Sequence, residues 1–172
     1  LPAALAAAAS GRALIVPVAN GPEAALATAC TVRVARTLAD VVAHLHGRRV
    51  LPLATPPEAT CETGPDLRDV RGQALARRAL EVAAAGGHHL LLCGPPGCGK
   101  TLLASRLAGL LPPPSDAEAL EAAAIASVSA RGVDPARWRT RPYRAPHHTA
   151  SAVALVGGGS DPRPGEISLA HN

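Results

Sequence analysis

Apolar and polar positions along the first third of the chain follow two rhythms. Ala13-Leu14-Ile15-Val16 is an unbroken apolar run closed by Pro17, and Thr31–Val34 is a second short run; both read as strands. Around them the spacing lengthens to that of a helix. Pro2–Ala9 is helical by composition and is broken at Gly11, while Asn20-Gly21-Pro22-Glu23 has the early proline and first-turn acid of a helix start. Thr37-Leu38-Ala39-Asp40 carries a capping-box pattern. Leu38, Val41, Val42 and Leu45 then predict a helix with one apolar face, ended by Gly47. Residues 1–54 therefore read as two helix–strand units, with His44 and His46 as solvated residues near a helix end.

Residues 55–65 have three prolines, a glycine and small polar side chains, with nothing to bury, and read as a linker. Beyond it the helical spacing returns over Gln73–Ala85, with Arg77 and Glu81 one turn apart and Gly86-Gly87 closing the helix. Leu90-Leu91-Leu92-Cys93 is again unbroken and predicts a strand covered on both faces of a parallel sheet. Leucines at 103, 107, 110 and 111 predict a helix over Thr101–Leu111, which Pro112-Pro113-Pro114 stops. Ser115-Asp116-Ala117-Glu118 is a second capping box, opening a helix to about Ala130.

Between that strand and that helix lies Gly94-Pro95-Pro96-Gly97-Cys98-Gly99-Lys100-Thr101, which fits the phosphate-loop pattern G-x-x-x-x-G-K-[ST]. A triphosphate concentrates negative charge, and backbone N–H groups of such a loop and of the next helix's first turn converge on it. Glycines at 94, 97 and 99 permit left-handed torsions and close approach of backbone to phosphate. Lys100, the single lysine of the chain, can place its ammonium between the β- and γ-phosphates, and the Thr101 hydroxyl can ligate Mg²⁺. Leu102 completes the candidate nucleotide contacts. ATP and Mg²⁺ are the cofactors this implies.

Composition narrows the setting. Of 172 residues 48% are hydrophobic, yet there is no Phe, no Met, one Trp and one Tyr, so packing must come from Leu, Val and Ala and modest stability is expected. No apolar run reaches the ~18 residues of a membrane helix, and Leu1–Ala9 lacks the basic start of a signal peptide. Cysteines 30, 61, 93 and 98 show no C-x-x-C pair, which fits a reduced, cytoplasmic setting. His147-His148 and His44/His46 lack the spacing of a zinc ligand set. With Leu1 first and no closing signal before Asn172, the chain reads as part of a longer protein.

Three resemblances extend this reading. Leu1–Ala7 through Leu14–Asn20 resembles the end of a Lon-type protease domain, in which a dyad lysine lies in the opening helix. Here those positions hold Pro2 and Ala4, and residues 1–47 contain no lysine, so the likeness is one of fold and no peptidase activity is expected. Asp69-Val70-Arg71-Gly72-Gln73, ahead of the phosphate loop, resembles the AAA+ ATPases. There this loop borders the adenine, which makes Val70, Gly72 and Gln73 candidate base contacts. Finally, Arg141–Ser151, Ala154–Gly159 and Pro162–Asn172 resemble three consecutive blocks of the YifB/ComM family, Mg-chelatase-related AAA+ ATPases with a Lon-like N-terminal region.

That resemblance implies an α/β fold: residues 1–54 as the end of a Lon-like domain, 55–65 as linker, and 66–172 as the N-terminal half of an AAA+ P-loop domain with a parallel-sheet core. It implies an ATP-hydrolysing, ring-forming motor, a hexamer, acting on DNA as a helicase or branch-migration factor. Two other readings stand beside it: a chelatase-type motor driving metal insertion, and, for residues 1–172 alone, an ATP-binding piece without turnover. The third is expected because the family's Walker B carboxylates would follow Asn172. No residue is assigned as general base, and Glu166 reads as a helix N-terminal residue. Arg131, Arg137, Arg139, Arg141 and Arg144 crowd one stretch with Trp138 and Tyr143. Such a stretch suits single-stranded DNA, with Arg137, Arg139, Arg141 and Arg144 as contacts. Equally, the arginines could face a neighbouring subunit or solvent while the aromatics pack the domain.

Overall fold

The computed structural model describes residues 1–60, 64–158 and 162–172. Cys61 of the linker, and Gly159 and Asp161 near the chain's end, lie outside the described residues.

Helix α1 (Pro2–Ala9), strand β1 (Leu14–Pro17), helix α2 (Gly21–Ala24), strand β2 (Val32–Ala35) and helix α3 (Leu38–Leu45) follow the order the apolar pattern predicts. β1 and β2 pair in parallel, Leu14 opposite Val32 and Pro17 opposite Ala35, because the α2 crossover returns the chain in the same direction. Ala4, Ala24, Ala27 and Val32 are buried together, with Leu5, Leu14 and Val16 packed on them. The small residues bring helix and strand close: a Cβ on Gly21 would stand 2.7 Å from Val34 Cγ1. Residues 52–54, not predicted as strand, run along β2. Val34 N–H donates to the Pro52 carbonyl at 3.0 Å, and Ala54 N–H to that of Val32 at 2.9 Å.

The Thr37 capping box forms, its Oγ1 accepting from Asp40 N–H at 3.2 Å, but the expected apolar face of α3 does not reach the core. Leu38 and Leu45 are 78% and 73% exposed, and no residue of the helix is fully buried.

The second unit is built on helix α4 (Ala74–Gly86) and helix α5 (Lys100–Leu110), with Leu67, Val70, Leu80 and Leu103 buried between them and Leu92, Leu107 and Leu110 packed around. The strand expected at 90–93 is not formed. A strand needs a neighbour for its backbone groups, and no strand among the described residues pairs with this segment. Leu91 is 86% exposed and only Leu92 joins the apolar cluster. The parallel sheet among the described residues is thus the β1–β2 pair alone, and the P-loop sheet core expected for 66–172 is not built here.

On α4 the ion pair is Arg78–Glu81 at 3.1 Å, not Arg77 with Glu81. Helix α6 (Asp116–Ser127) starts at the second capping box, where Glu118 N–H reaches Ser115 Oγ at 3.3 Å. It stops three residues before the expected Ala130. A short helix α7 (Ala152–Val156), the two-residue antiparallel strands β3 (Gly157–Gly158) and β4 (Arg163–Pro164), and helix α8 (Glu166–Leu169) complete the chain. The linker meets the second unit at Thr60 and at Pro65. Thr60 N–H donates to the Ala136 carbonyl at 2.8 Å, and a Cβ on Gly109 would lie 2.6 Å from the Pro65 carbonyl oxygen.

Candidate phosphate-binding site

The loop from Gly94 to Gly99 turns on three glycines with φ of 156°, 79° and 87°. At two of them a side chain would also crowd a neighbouring side chain. A Cβ at Gly94 would stand 2.9 Å from Cys98 Sγ, and one at Gly99 would stand 2.9 Å from Gln73 Nε2. The backbone therefore lies bare. Helix α5 follows directly, with Gly99 at its N-cap and no side chain accepting from its first turn, so those N–H donors are left for another partner.

Lys100 opens α5 and its ammonium folds back over the loop. It donates to the carbonyls of Gly94 at 2.8 Å and Pro95 at 2.7 Å, and lies 3.6 Å from Cys98 Sγ. Main-chain carbonyls are neutral acceptors, so the ammonium meets hydrogen bonds but no countercharge here. Thr101 and Leu102 are exposed on the same first turn. The donor set, with bare glycine backbone, an uncapped helix start, one ammonium and one hydroxyl, fits a nucleotide triphosphate with its Mg²⁺.

The loop 69–73 is brought to this site, but its residues are used unequally. Val70 is buried in the apolar cluster with Leu67, Leu80 and Leu103. Gly72 takes a left-handed φ of 70°. Gln73 caps α4 with a left-handed φ of 50°, and its amide donates to the Cys98 carbonyl at 3.2 Å. Proximity in sequence gave no signal for that contact, since the partners are 25 residues apart.

The arginine stretch lies elsewhere, and its guanidinium groups already have partners within the chain. Arg144 forms a two-pronged pair with Glu166, Nε and Nη2 each at 2.6 Å. Arg141 Nε donates to the Pro112 carbonyl at 2.7 Å and its Nη2 lies 3.7 Å from Glu118. Arg139 pairs with Asp116 at 2.8 Å and stacks 4.8 Å from the Trp138 ring. Arg137 is engaged as well. The hydrogen bonds from Arg144 hold the Glu166 carboxyl below the usual glutamate range, and Glu166 in turn raises the Arg144 guanidinium. Glu118 is also held low, first by the Ser115 backbone N–H and then by its hydroxyl. Glu166 sits at the first position of α8, as expected of a helix N-terminal acid. His147 and His148 are exposed, with ring centroids 4.1 Å apart.

Residues 66–172 match the family described as magnesium chelatase, subunit ChlI. The chain belongs to that family. It is 51% identical to competence protein ComM of Haemophilus influenzae over 180 residues, covering 100% of this chain and 35% of the relative. It is 52% identical to the protein YifB of Salmonella typhimurium over 165 residues, covering 95% of this chain and 32% of the relative, and equally close to YifB of Escherichia coli. The chain thus spans about a third of the length of these curated relatives. The chelatase match begins at residue 66, whereas the likeness to ComM takes in residues 1–65 too. No helix among the described residues is long and apolar enough to cross a membrane.

Proposed function

We propose that Gly94–Thr101 binds ATP with Mg²⁺, and that the protein is an ATP-driven motor of the ComM/YifB type. In this reading the ammonium of Lys100 leaves the Gly94 and Pro95 carbonyls for the β- and γ-phosphate oxygens. It exchanges neutral acceptors for charged ones and so gains the countercharge that the carbonyls do not supply. The N–H groups at Gly97, Gly99 and the first turn of α5 take the remaining oxygens, Thr101 holds Mg²⁺, and Leu102 packs beside the nucleotide. Val70 and Gly72 shape the wall beside the base. The observation that carries this is the geometry of Lys100, a cation with no carboxylate partner among its described contacts, poised at an uncapped helix start.

In the intact protein we infer self-association into a ring, a hexamer, and work on DNA as a helicase or branch-migration factor. The alignment with a competence protein, which takes in the whole of this chain, supports this choice over a chelatase motor, since it includes the N-terminal 65 residues that the chelatase family match leaves out. The test of the site is ATP titration into wild type and Lys100→Ala. The variant is expected to lose about 2–3 kcal/mol of binding free energy, the worth of charged hydrogen bonds. Thr101→Val should lose only the Mg²⁺-dependent part. Equal ATP affinities in wild type and Lys100→Ala would refute the phosphate role.

A further inference from the structure

A left-handed glutamine is out of place unless its side chain is used. At φ 50° Gln73 occupies a region that glycine fills freely and that a Cβ makes costly. Its neighbour Gly72 already supplies a left-handed residue to the turn. What the strain secures is a contact: from the N-cap of α4 the Gln73 amide reaches across 25 positions to the Cys98 carbonyl, 3.2 Å away. Glycine at 99 leaves that amide its room, since a Cβ there would stand 2.9 Å from the nitrogen and push it aside. The phosphate loop and Gln73 are therefore fitted to each other from both sides.

The peptide plane converts this contact into function. In a trans peptide the carbonyl of one residue and the N–H of the next point in opposite directions. Fixing the Cys98 carbonyl toward Gln73 thus fixes the Gly99 N–H away from it. Gly99 has no side chain of its own with which to hold the peptide, and it sits immediately before Lys100 at the start of α5. Without the brace, the Cys98–Gly99 peptide is free to flip about its two flanking torsions, one of which belongs to a glycine.

We propose that Gln73 is a positioning residue for the phosphate loop, orienting the Cys98–Gly99 peptide so that the Gly99 N–H is held ready for a phosphate oxygen. This rests on the nucleotide reading of Gly94–Thr101 and replaces, for Gln73, the role of base contact that the sequence suggests. A brace and a base contact differ in what they let the site recognise. The brace acts on the phosphates alone; a base contact acts on the adenine alone.

The experiment compares the intact wild-type protein with Gln73→Gly and Gln73→Glu, using ATP and inorganic tripolyphosphate as probes, together with amide hydrogen exchange over residues 94–101. Gln73→Gly relieves the left-handed strain while deleting the amide, so its thermal midpoint should hold or rise. Both probes should bind about 3- to 10-fold more weakly, the worth of one lost hydrogen bond, and exchange at the loop should accelerate. Gln73→Glu keeps the shape but has no proton to donate when ionised. It should show the same loss at neutral pH and regain binding relative to Gln73→Gly as the pH falls toward the ordinary glutamate value of about 4.3. Weakened ATP with unchanged tripolyphosphate would overturn the proposal in favour of base recognition. Unchanged loop exchange in Gln73→Gly would overturn it outright. Faster exchange in a protein whose wild type binds neither probe would refute the nucleotide reading while leaving the brace standing.

Discussion

Two regions of this molecule use positive charge in opposite ways. At the phosphate loop one ammonium, Lys100, rests on two neutral carbonyls beside an uncapped helix. In the stretch 137–144 several guanidinium groups are matched to carboxylates on other elements: Arg139 to Asp116, Arg141 to Glu118, Arg144 to Glu166. The first arrangement leaves a charge that an anion can claim. The second spends charge on fastening α6 and α8 to the loop between them. The number of basic residues therefore says less about a binding surface than the partners they already have.

The comparison can be broken at its foundation first. Both α4, which follows Gln73, and α5, which carries Lys100, stand on Leu80, which is fully buried. Leu80→Ala should destabilise the second unit by about 2–5 kcal/mol, the range for a truncated core leucine, as read by chemical denaturation. A loss under about 1 kcal/mol would mean that the cluster collapses around the gap and supports little.

The arginine side is sharpened by pH. Glu166 is held below its ordinary value by Arg144, so the pair stabilises the fold fully above the unfolded glutamate value of about 4.3 and loses that contribution as pH falls through the lower folded value. Arg144→Ala should lower the thermal midpoint at pH 7, and the gap between variant and wild type should close toward pH 3. A gap that is constant with pH would mean that Arg144 acts through packing alone. The smallest effect is expected at Arg139→Ala. Its pair with Asp116 is exposed on both sides, and such pairs contribute about 0–1 kcal/mol. Denaturant melts at low and high salt would show a difference that salt removes.

Much of the local structure was legible from residue types. Both capping boxes form where Thr37 and Ser115 place them, because the pattern describes a reciprocal contact within four residues. The glycine torsions of the phosphate loop were likewise readable, since only glycine meets them cheaply. What failed depended on distant partners. Leu90–Cys93 has the composition of a buried strand, but a strand is completed by its neighbours, and none of the described strands pairs with it. The apolar side of α3 was legible as a pattern and yet stays exposed, since periodicity names a face without naming what covers it. The Gln73–Cys98 and Arg144–Glu166 contacts span 25 and 22 positions, and nothing local in the sequence encodes either.

The central claim is that Lys100 is the cation held for a ligand and Arg144 a cation held for the fold. It is tested most directly by thermal melts of wild type, Lys100→Ala and Arg144→Ala, with and without saturating ATP and Mg²⁺. At a nucleotide concentration a hundred times the dissociation constant, binding should stabilise wild type by about 2.7 kcal/mol. The account predicts that Lys100→Ala keeps its basal midpoint and loses the ATP-induced rise, whereas Arg144→Ala melts lower but keeps that rise. An ATP-induced rise retained in Lys100→Ala and abolished in Arg144→Ala would contradict it.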